Sequence, residues 1–163
     1  MTMTAANPAS ETTPIAIGSA APEVALPDQD KKEWKLSEFK GKKTVAMFWY
    51  PLDWSPTCTK ENACFTQDLS RFSKYAEVVA ISIDSTWSHK AWQEKMGLKH
   101  RLLADMHRKA TKDYGLYFPA ANISQRATVL VDKNGKVAWV KVEKNLGDER
   151  DYNEIEEQLK KLA

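Results

Sequence analysis

Two continuous apolar runs, Thr44–Trp49 and Val78–Ile83, limit what this chain can fold into more than any other feature. Neither alternates polar with apolar residues, so each reads as a strand buried on both faces. Between them, Phe65, Leu69, Phe72 and Ala76 recur at the three- or four-residue spacing of a helix face, and a helix over Thr59–Tyr75 is predicted. A buried strand, a helix and a second buried strand are the building unit of a parallel sheet.

The alternation continues along the chain. Ser88–Met96 reads as a helix capped by Ser85 or Ser88 and ended by Gly97, and Leu102–Ala104 as a short third strand. A weaker helix runs from Arg108 towards Tyr114 and stops at Gly115. Ala127–Val131 and Lys136–Val142 flank Asp132-Lys133-Asn134-Gly135, and Asn-Gly between two strand-like runs is a strong hairpin signal. Asp151–Leu162 closes the chain as a helix, while Pro22–Pro27 looks extended and Trp34–Leu36 strand-like ahead of a turn. The order predicts an α/β fold with a mixed central sheet, helices on both faces, and a C-terminal hairpin plus helix adding antiparallel edges. It is compatible with a thioredoxin-like architecture.

A chain of 163 residues fits a single domain, placed at residues 21–163. Residues 1–20, rich in Ala, Thr, Ser and Pro with Glu11 the one charged side chain, read as a disordered tail. They have neither a basic start nor an apolar core of the kind a secretory signal needs, so a cytoplasmic setting is expected. A net charge of +2, with no basic run interleaved with aromatics, argues against nucleic acid. No apolar stretch approaches the ~20 residues of a membrane span. Two cysteines in such a setting point to redox or catalytic use rather than a disulfide framework.

The first of them, Cys58, follows Pro51-Leu52-Asp53-Trp54-Ser55-Pro56-Thr57. Ser is a preferred helix N-cap and Pro a favoured first helical residue, so Ser55-Pro56 reads as a helix start and places Cys58 at the third helical position. Unpaired amides and the positive helix end there stabilise an ionised, nucleophilic sulfur. The alternative is a plain cap followed by a small buried hydrophobe.

Pro51-x-x-x-Ser55-x-x-Cys58 resembles the active-site motif of the peroxiredoxins, Pro-x-x-x-(Thr/Ser)-x-x-Cys. Leu26-Pro27-Asp28, Leu36 to Lys42, Ser82-Ile83-Asp84-Ser85 with Ser88-His89, Asp113 to Tyr117 and Arg126-Ala127-Thr128-Val129 extend the likeness over roughly residues 20–163. The chain is most similar to the bacterioferritin-comigratory (Q-type) and one-cysteine AhpE-like branches. The resemblance implies a thioredoxin-like fold and a thiol peroxidase that needs no cofactor or metal. Cys58 would attack the peroxide, Ser55 would hydrogen-bond it, Pro51 would shield the thiol, and the amides of Thr57 and Cys58 would hold the substrate. Arg126 would stabilise the thiolate and the departing oxygen. Glu61 would either orient Arg126 or be an ordinary first-turn acid, and Trp87 would either border the pocket or be a core or surface Trp. The partners implied are a peroxide and a reductant such as thioredoxin, glutaredoxin or a low-molecular-weight thiol, with the chain a monomer or homodimer.

Cys64 departs from the Q-type pattern, in which Ala63 would be the resolving cysteine. On an intact helix Cys58 and Cys64 lie about 10 Å apart between Cα atoms, against the ~4.4–6.8 Å of a disulfide. Cys64 therefore either resolves after local unwinding or is a structural thiol. His89, His100 and His107 share no ligand spacing with the cysteines, so no metal site is expected. Two further readings stay open: a thioredoxin-like disulfide oxidoreductase, weakened by the missing Cys-x-x-Cys, and a non-enzymatic thioredoxin-like binding or chaperone module.

Overall fold

All six side chains of the run Thr44–Trp49 are buried, and the five from Val45 onward alternate between two separate cores. The structure is a computed structural model and describes residues 8–163. In chain order its elements are α1 (Pro8–Thr12), β1 (Ala25–Pro27), β2 (Glu33–Lys35), β3 (Thr44–Trp49), α2 (Pro56–Gln67), α3 (Leu69–Ser73), β4 (Ala76–Ser82) and α4 (Thr86–Met96). There follow β5 (Arg101–Ala104), α5 (Lys109–Asp113), β6 (Tyr117–Phe118), β7 (Ile123–Ser124), β8 (Ala127–Val131), β9 (Val137–Val142) and α6 (Tyr152–Leu162).

The central sheet has the order β5-β4-β3-β8-β9. β3, β4 and β5 run parallel, β8 is antiparallel to β3, and β9 to β8. This is the expected mixed, thioredoxin-like α/β arrangement. Because side chains alternate along a strand, Val45, Met47 and Trp49 join Val79, Ile81 and Val129 under Trp34, Ala110 and Tyr114. Ala46, Phe48 and Tyr50 face the other way, onto Cys58, Phe65, Phe72, Trp92 and Ile155 of α2, α3, α4 and α6.

Three expectations are corrected. The helix foreseen over Thr59–Tyr75 is two helices, broken at Asp68 (φ −99°, ψ 13°), whose amide still reaches the Cys64 carbonyl at 2.9 Å. Phe65 and Phe72 both meet Phe48, with ring centroids 4.5 and 5.9 Å apart, so the apolar spacing reads straight through the break. The hairpin adds one edge, not two: the fully buried β8 lies beside β3, and only the partly exposed β9 is outermost. The tail expected to be disordered is bonded to the fold along much of its described length. Ile15 and Gly18 donate backbone hydrogen bonds to Tyr114 and Val137 at 3.1 and 2.7 Å, and the Ser19 carbonyl accepts from the Val137 amide at 2.9 Å. Thr13 packs so closely that a Cβ on Gly115 (φ +68°) would fall 1.7 Å from its carbonyl oxygen. Main-chain bonds of this kind leave no mark on composition, and residues 1–7 lie outside the described residues. The small β6–β7 pair was not foreseen.

The helix ends follow the sequence closely. Ser85 accepts from the Ser88 amide at 3.1 Å, Gly97 ends α4 at φ +64°, and Asp151 accepts from two amides of α6. No helix among the described residues is long and apolar enough to cross a membrane.

Candidate active site

The chain leaves β3 at Trp49, makes the loop Tyr50–Ser55 and enters α2 at Pro56. Ser55 is the N-cap and Pro56 the first helical residue, which puts Thr57 and Cys58 at the second and third positions with no intrahelical acceptor for their amides. The Ser55 hydroxyl does not cap the helix. It donates to the Leu52 carbonyl at 3.1 Å, leaving its oxygen lone pairs and the helix amides for another partner. Pro51 is buried, Thr57 is half-buried with its hydroxyl 3.5 Å from the Gly147 carbonyl, and Cys58 is fully buried in the sheet core.

Arg126 immediately precedes β8, and β8 lies beside β3, so strand pairing carries a residue distant in sequence to the start of α2. Its Nη2 donates to Cys58 Sγ at 3.1 Å, its Nη1 to Glu61, and its Nε to the Leu146 carbonyl at 3.0 Å. Glu61, one helical turn past Cys58, is 1 % exposed and also accepts from the Arg150 amide at 2.7 Å. Burial works against the charge on Arg126, but its interactions with Cys58 and Glu61 outweigh it and hold the guanidinium above its ordinary value. Such a group stabilises a thiolate and any negative charge that develops beside it.

Arg150 completes the constellation and was missed by sequence reasoning. Its guanidinium is buried, approaches Glu61 at 3.5 Å and donates to the Trp49 and Ala127 carbonyls. It is one of 24 basic residues and sits among Asp148, Glu149 and Asp151, a context that reads as a solvated charge run. Burial pushes it below its ordinary value.

The loop itself hangs on a second network. Asp53 accepts from Tyr50 Oη at 2.6 Å and Ser88 Oγ at 2.9 Å, and pairs with His89 Nδ1 at 2.7 Å. His89 Nε2 faces the Leu103 carbonyl at 3.0 Å, so both ring nitrogens meet oxygen partners. The Asp53 amide donates to Asp84, whose carboxyl is raised by burial and by the neighbouring Asp53. Between these anchors Trp54 is held at φ +69°, a left-handed conformation that costs roughly 1–2 kcal/mol for a residue with a Cβ. The Ser88-His89 pair was noted in the sequence, but the function of its histidine was not.

Cys64 is half-buried in the same unbroken helix as Cys58. Trp87 stands on the first turn of α4, 72 % exposed, with the Lys31 ammonium 3.6 Å from its ring centroid, outside the Cys58–Arg126–Glu61 set. The structure thus brings Cys58, Arg126 and Glu61 into contact, sets Pro51, Ser55 and Thr57 around the helix start, and leaves Trp87 and Cys64 apart.

The AhpC/TSA family profile matches residues 17–140. A chloroplastic peroxiredoxin Q of Suaeda salsa is 42 % identical over 130 residues, 77 % of this chain and 59 % of that protein. A chloroplastic 2-Cys peroxiredoxin BAS1 of Hordeum vulgare is 33 % identical over 157 residues, covering 90 % and 74 %. Among solved structures, the reduced 2-Cys peroxiredoxin of Plasmodium vivax superposes with a TM-score of 0.82 at 33 % identity, covering 90 % of this chain and 81 % of that one. The chain spans about three fifths of the length of the peroxiredoxin Q relatives it matches.

Proposed function

The chain belongs to the AhpC/TSA family, the peroxiredoxins, and from that premise we propose that it is a thiol-dependent peroxidase that reduces hydrogen peroxide and organic hydroperoxides through Cys58. The observation that carries the reading is Arg126 Nη2 at 3.1 Å from Cys58 Sγ, with Glu61 bound to the same guanidinium. The sulfur lone pair attacks the terminal peroxide oxygen and the O–O bond breaks. Cys58 becomes a sulfenic acid, and the released oxygen leaves as water or an alcohol after taking up a proton. Arg126 stabilises the thiolate and then the charge on the leaving oxygen. Ser55, whose hydrogen is given to Leu52, accepts from the peroxide hydroxyl, while the amides of Thr57 and Cys58 donate to its oxygens. Pro51 keeps bulk water from the thiol, and Glu61 fixes the guanidinium with Arg150 behind it.

The sulfenic acid is then reduced by an external thiol, from thioredoxin, glutaredoxin or a small molecule, either directly or after a Cys58–Cys64 disulfide. The cytoplasmic setting belongs to the same proposal: two free thiols suit a reducing compartment, and the names of the plant relatives place those proteins in chloroplasts. A disulfide oxidoreductase is not favoured, since the partner cysteine of a Cys-x-x-Cys motif is absent. A binding module does not account for a buried thiol facing a buried arginine.

Stopped-flow mixing with hydrogen peroxide tests the assignment. Rapid consumption of one equivalent is expected, and Cys58→Ser is expected to abolish it. A Cys58→Ser protein that still consumes peroxide would refute the role of Cys58.

A further inference from the structure

Helix α2 carries a lock that the peroxide chemistry does not use. A single line of hydrogen bonds runs from the start of β5 to the carbonyl of Cys58. The Lys99 amide donates to Thr66 Oγ1 at 3.0 Å, and Thr66 Oγ1 stands 3.3 Å from His100 Nδ1. His100 Nε2 stands 2.7 Å from Asn62 Oδ1, and Asn62 Nδ2 donates to the Cys58 carbonyl at 2.9 Å. One tautomer satisfies every link: hydrogen on Nε2 and a lone pair on Nδ1 that accepts from the Thr66 hydroxyl. Burial lowers His100 to about 4, which keeps the ring in the neutral form this line requires.

Asn62 and Thr66 are four residues apart on α2, so the imidazole spans one full turn of the helix. Cys64 lies within that turn, and Cys58 is tied to its near end. While the helix is wound, the two sulfurs belong to Cα atoms about 10 Å apart, beyond the reach of a disulfide. Bridging them requires the helix between Cys58 and Cys64 to unwind, and unwinding there breaks the line at the Cys58 carbonyl or at Asn62.

Resting on the reading of Cys58 as the peroxide-attacking thiol, we propose that the Asn62–His100–Thr66 bridge decides the fate of the Cys58 sulfenic acid by holding Cys64 away from it. With the bridge closed, the sulfenic acid waits for an external thiol, or a second peroxide converts it to sulfinic acid with release of water. With the bridge open, the Cys64 sulfur attacks the Cys58 sulfur, the S–O bond breaks, and the hydroxide leaves as water with the Cys64 proton. Asn62 and His100 are positioning residues here. They touch neither the sulfur nor the Arg126–Glu61 pair.

Asn62→Ala is the decisive variant. It removes both side-chain bonds to the bridge, yet Ala favours helix more than Asn, so a change in local propensity alone would wind α2 tighter. The wild type, Asn62→Ala and Thr66→Val are treated with hydrogen peroxide in slight excess, and the products are separated by mass spectrometry. Dimedone labelling of Cys58 and stopped-flow peroxide consumption are read in parallel. The ratio of Cys58–Cys64 disulfide to Cys58 sulfinic acid is expected to rise about five- to tenfold in Asn62→Ala, given the modest net strength of each lost hydrogen bond. A smaller rise is expected in Thr66→Val, and none in Asn62→Ala/Cys64→Ser. The peroxide rate constant is expected to stay within about threefold of wild type. An unchanged or lower ratio in Asn62→Ala, or no disulfide in any variant, overturns the proposal while sulfenic labelling of Cys58 continues. Absence of dimedone labelling in the wild type instead overturns the peroxidase reading beneath it.

Discussion

Cys58 stands between two regions held together by opposite means. Ahead of it, the loop Tyr50–Ser55 hangs on one carboxyl group: Asp53 is bound at once by Tyr50, Ser88 and His89. Behind it, α2 is tied to β5 by a neutral line through Asn62, His100 and Thr66. Both histidines are buried, but one faces two acceptors and the other a donor and an acceptor. A buried carboxyl group that loses one of several hydrogen-bond partners is left under-satisfied, at a cost of about 1–3 kcal/mol. A neutral hydrogen bond contributes only about 1 kcal/mol net. The difference makes the loop, which carries Pro51 and Ser55, hard to deform, and the helix turn, which carries Cys64, easier to open. The proposed attack needs the first property, and any pairing of Cys58 with Cys64 needs the second.

Arg126 belongs to neither region but bonds the sulfur between them, and its loss is expected to have the largest effect. Arg126→Ala should lower the second-order rate constant for hydrogen peroxide by roughly 10²–10³, the range for removal of one charge-stabilising donor. Arg126→Lys should recover only part, because an ammonium lacks the fork that reaches Cys58 and Glu61 together. A rate within about threefold of wild type in Arg126→Ala would mean that loop and helix alone prepare the thiol.

Acid should act on the helix side next. Burial lowers His100 from 6.5 to about 4, so the folded protein takes up that proton less readily than the unfolded chain. Stability from this group is therefore complete above pH 6.5 and falls as the pH drops towards 4, by about 3 kcal/mol in all. Urea unfolding of the wild type and His100→Gln at pH 7 and pH 4 isolates the contribution, because the carboxylates titrate alike in both. Equal losses in the two proteins would show that His100 is not held neutral.

Much of this was legible in the sequence, for definite reasons. Thr44–Trp49 is apolar throughout because the sheet is covered on both faces, and Pro56 and Gly97 mark helix ends by their backbone geometry. Cys58, Ser55 and Pro51 lie within one short motif, and Arg126 is next to a strand that pairs with β3. Other parts were hidden because they depend on what lies opposite rather than alongside. Arg150 reads as one charge in a charged stretch until the fold closes it over Glu61. Asn62 and His100 meet only because α2 crosses the entry to β5. The order of residues 13–21 comes from main-chain bonds to Tyr114, Gly135 and Val137, which no side-chain pattern announces.

The smallest expected effect on rate concerns the loop, and it tests the comparison most directly. His89→Gln replaces a ring whose two nitrogens meet Asp53 and Leu103 by an amide that cannot reach both in the same way, so the loop loses one fixed point while Arg126 keeps its contacts. Misplacing Ser55 and Pro51 should lower the peroxide rate constant roughly tenfold, since small errors of placement at a reacting centre are costly. Alkylation of Cys58 by iodoacetamide, which reports the thiolate but does not require the Ser55 hydroxyl, should stay within about threefold. The ratio of disulfide to sulfinic acid should not move, because the Asn62–His100 line is untouched. A parallel fall in alkylation would show that His89 sustains the thiolate rather than the pocket. A shift in the disulfide ratio would show that loop and helix yield together, and the division of labour around Cys58 would fail.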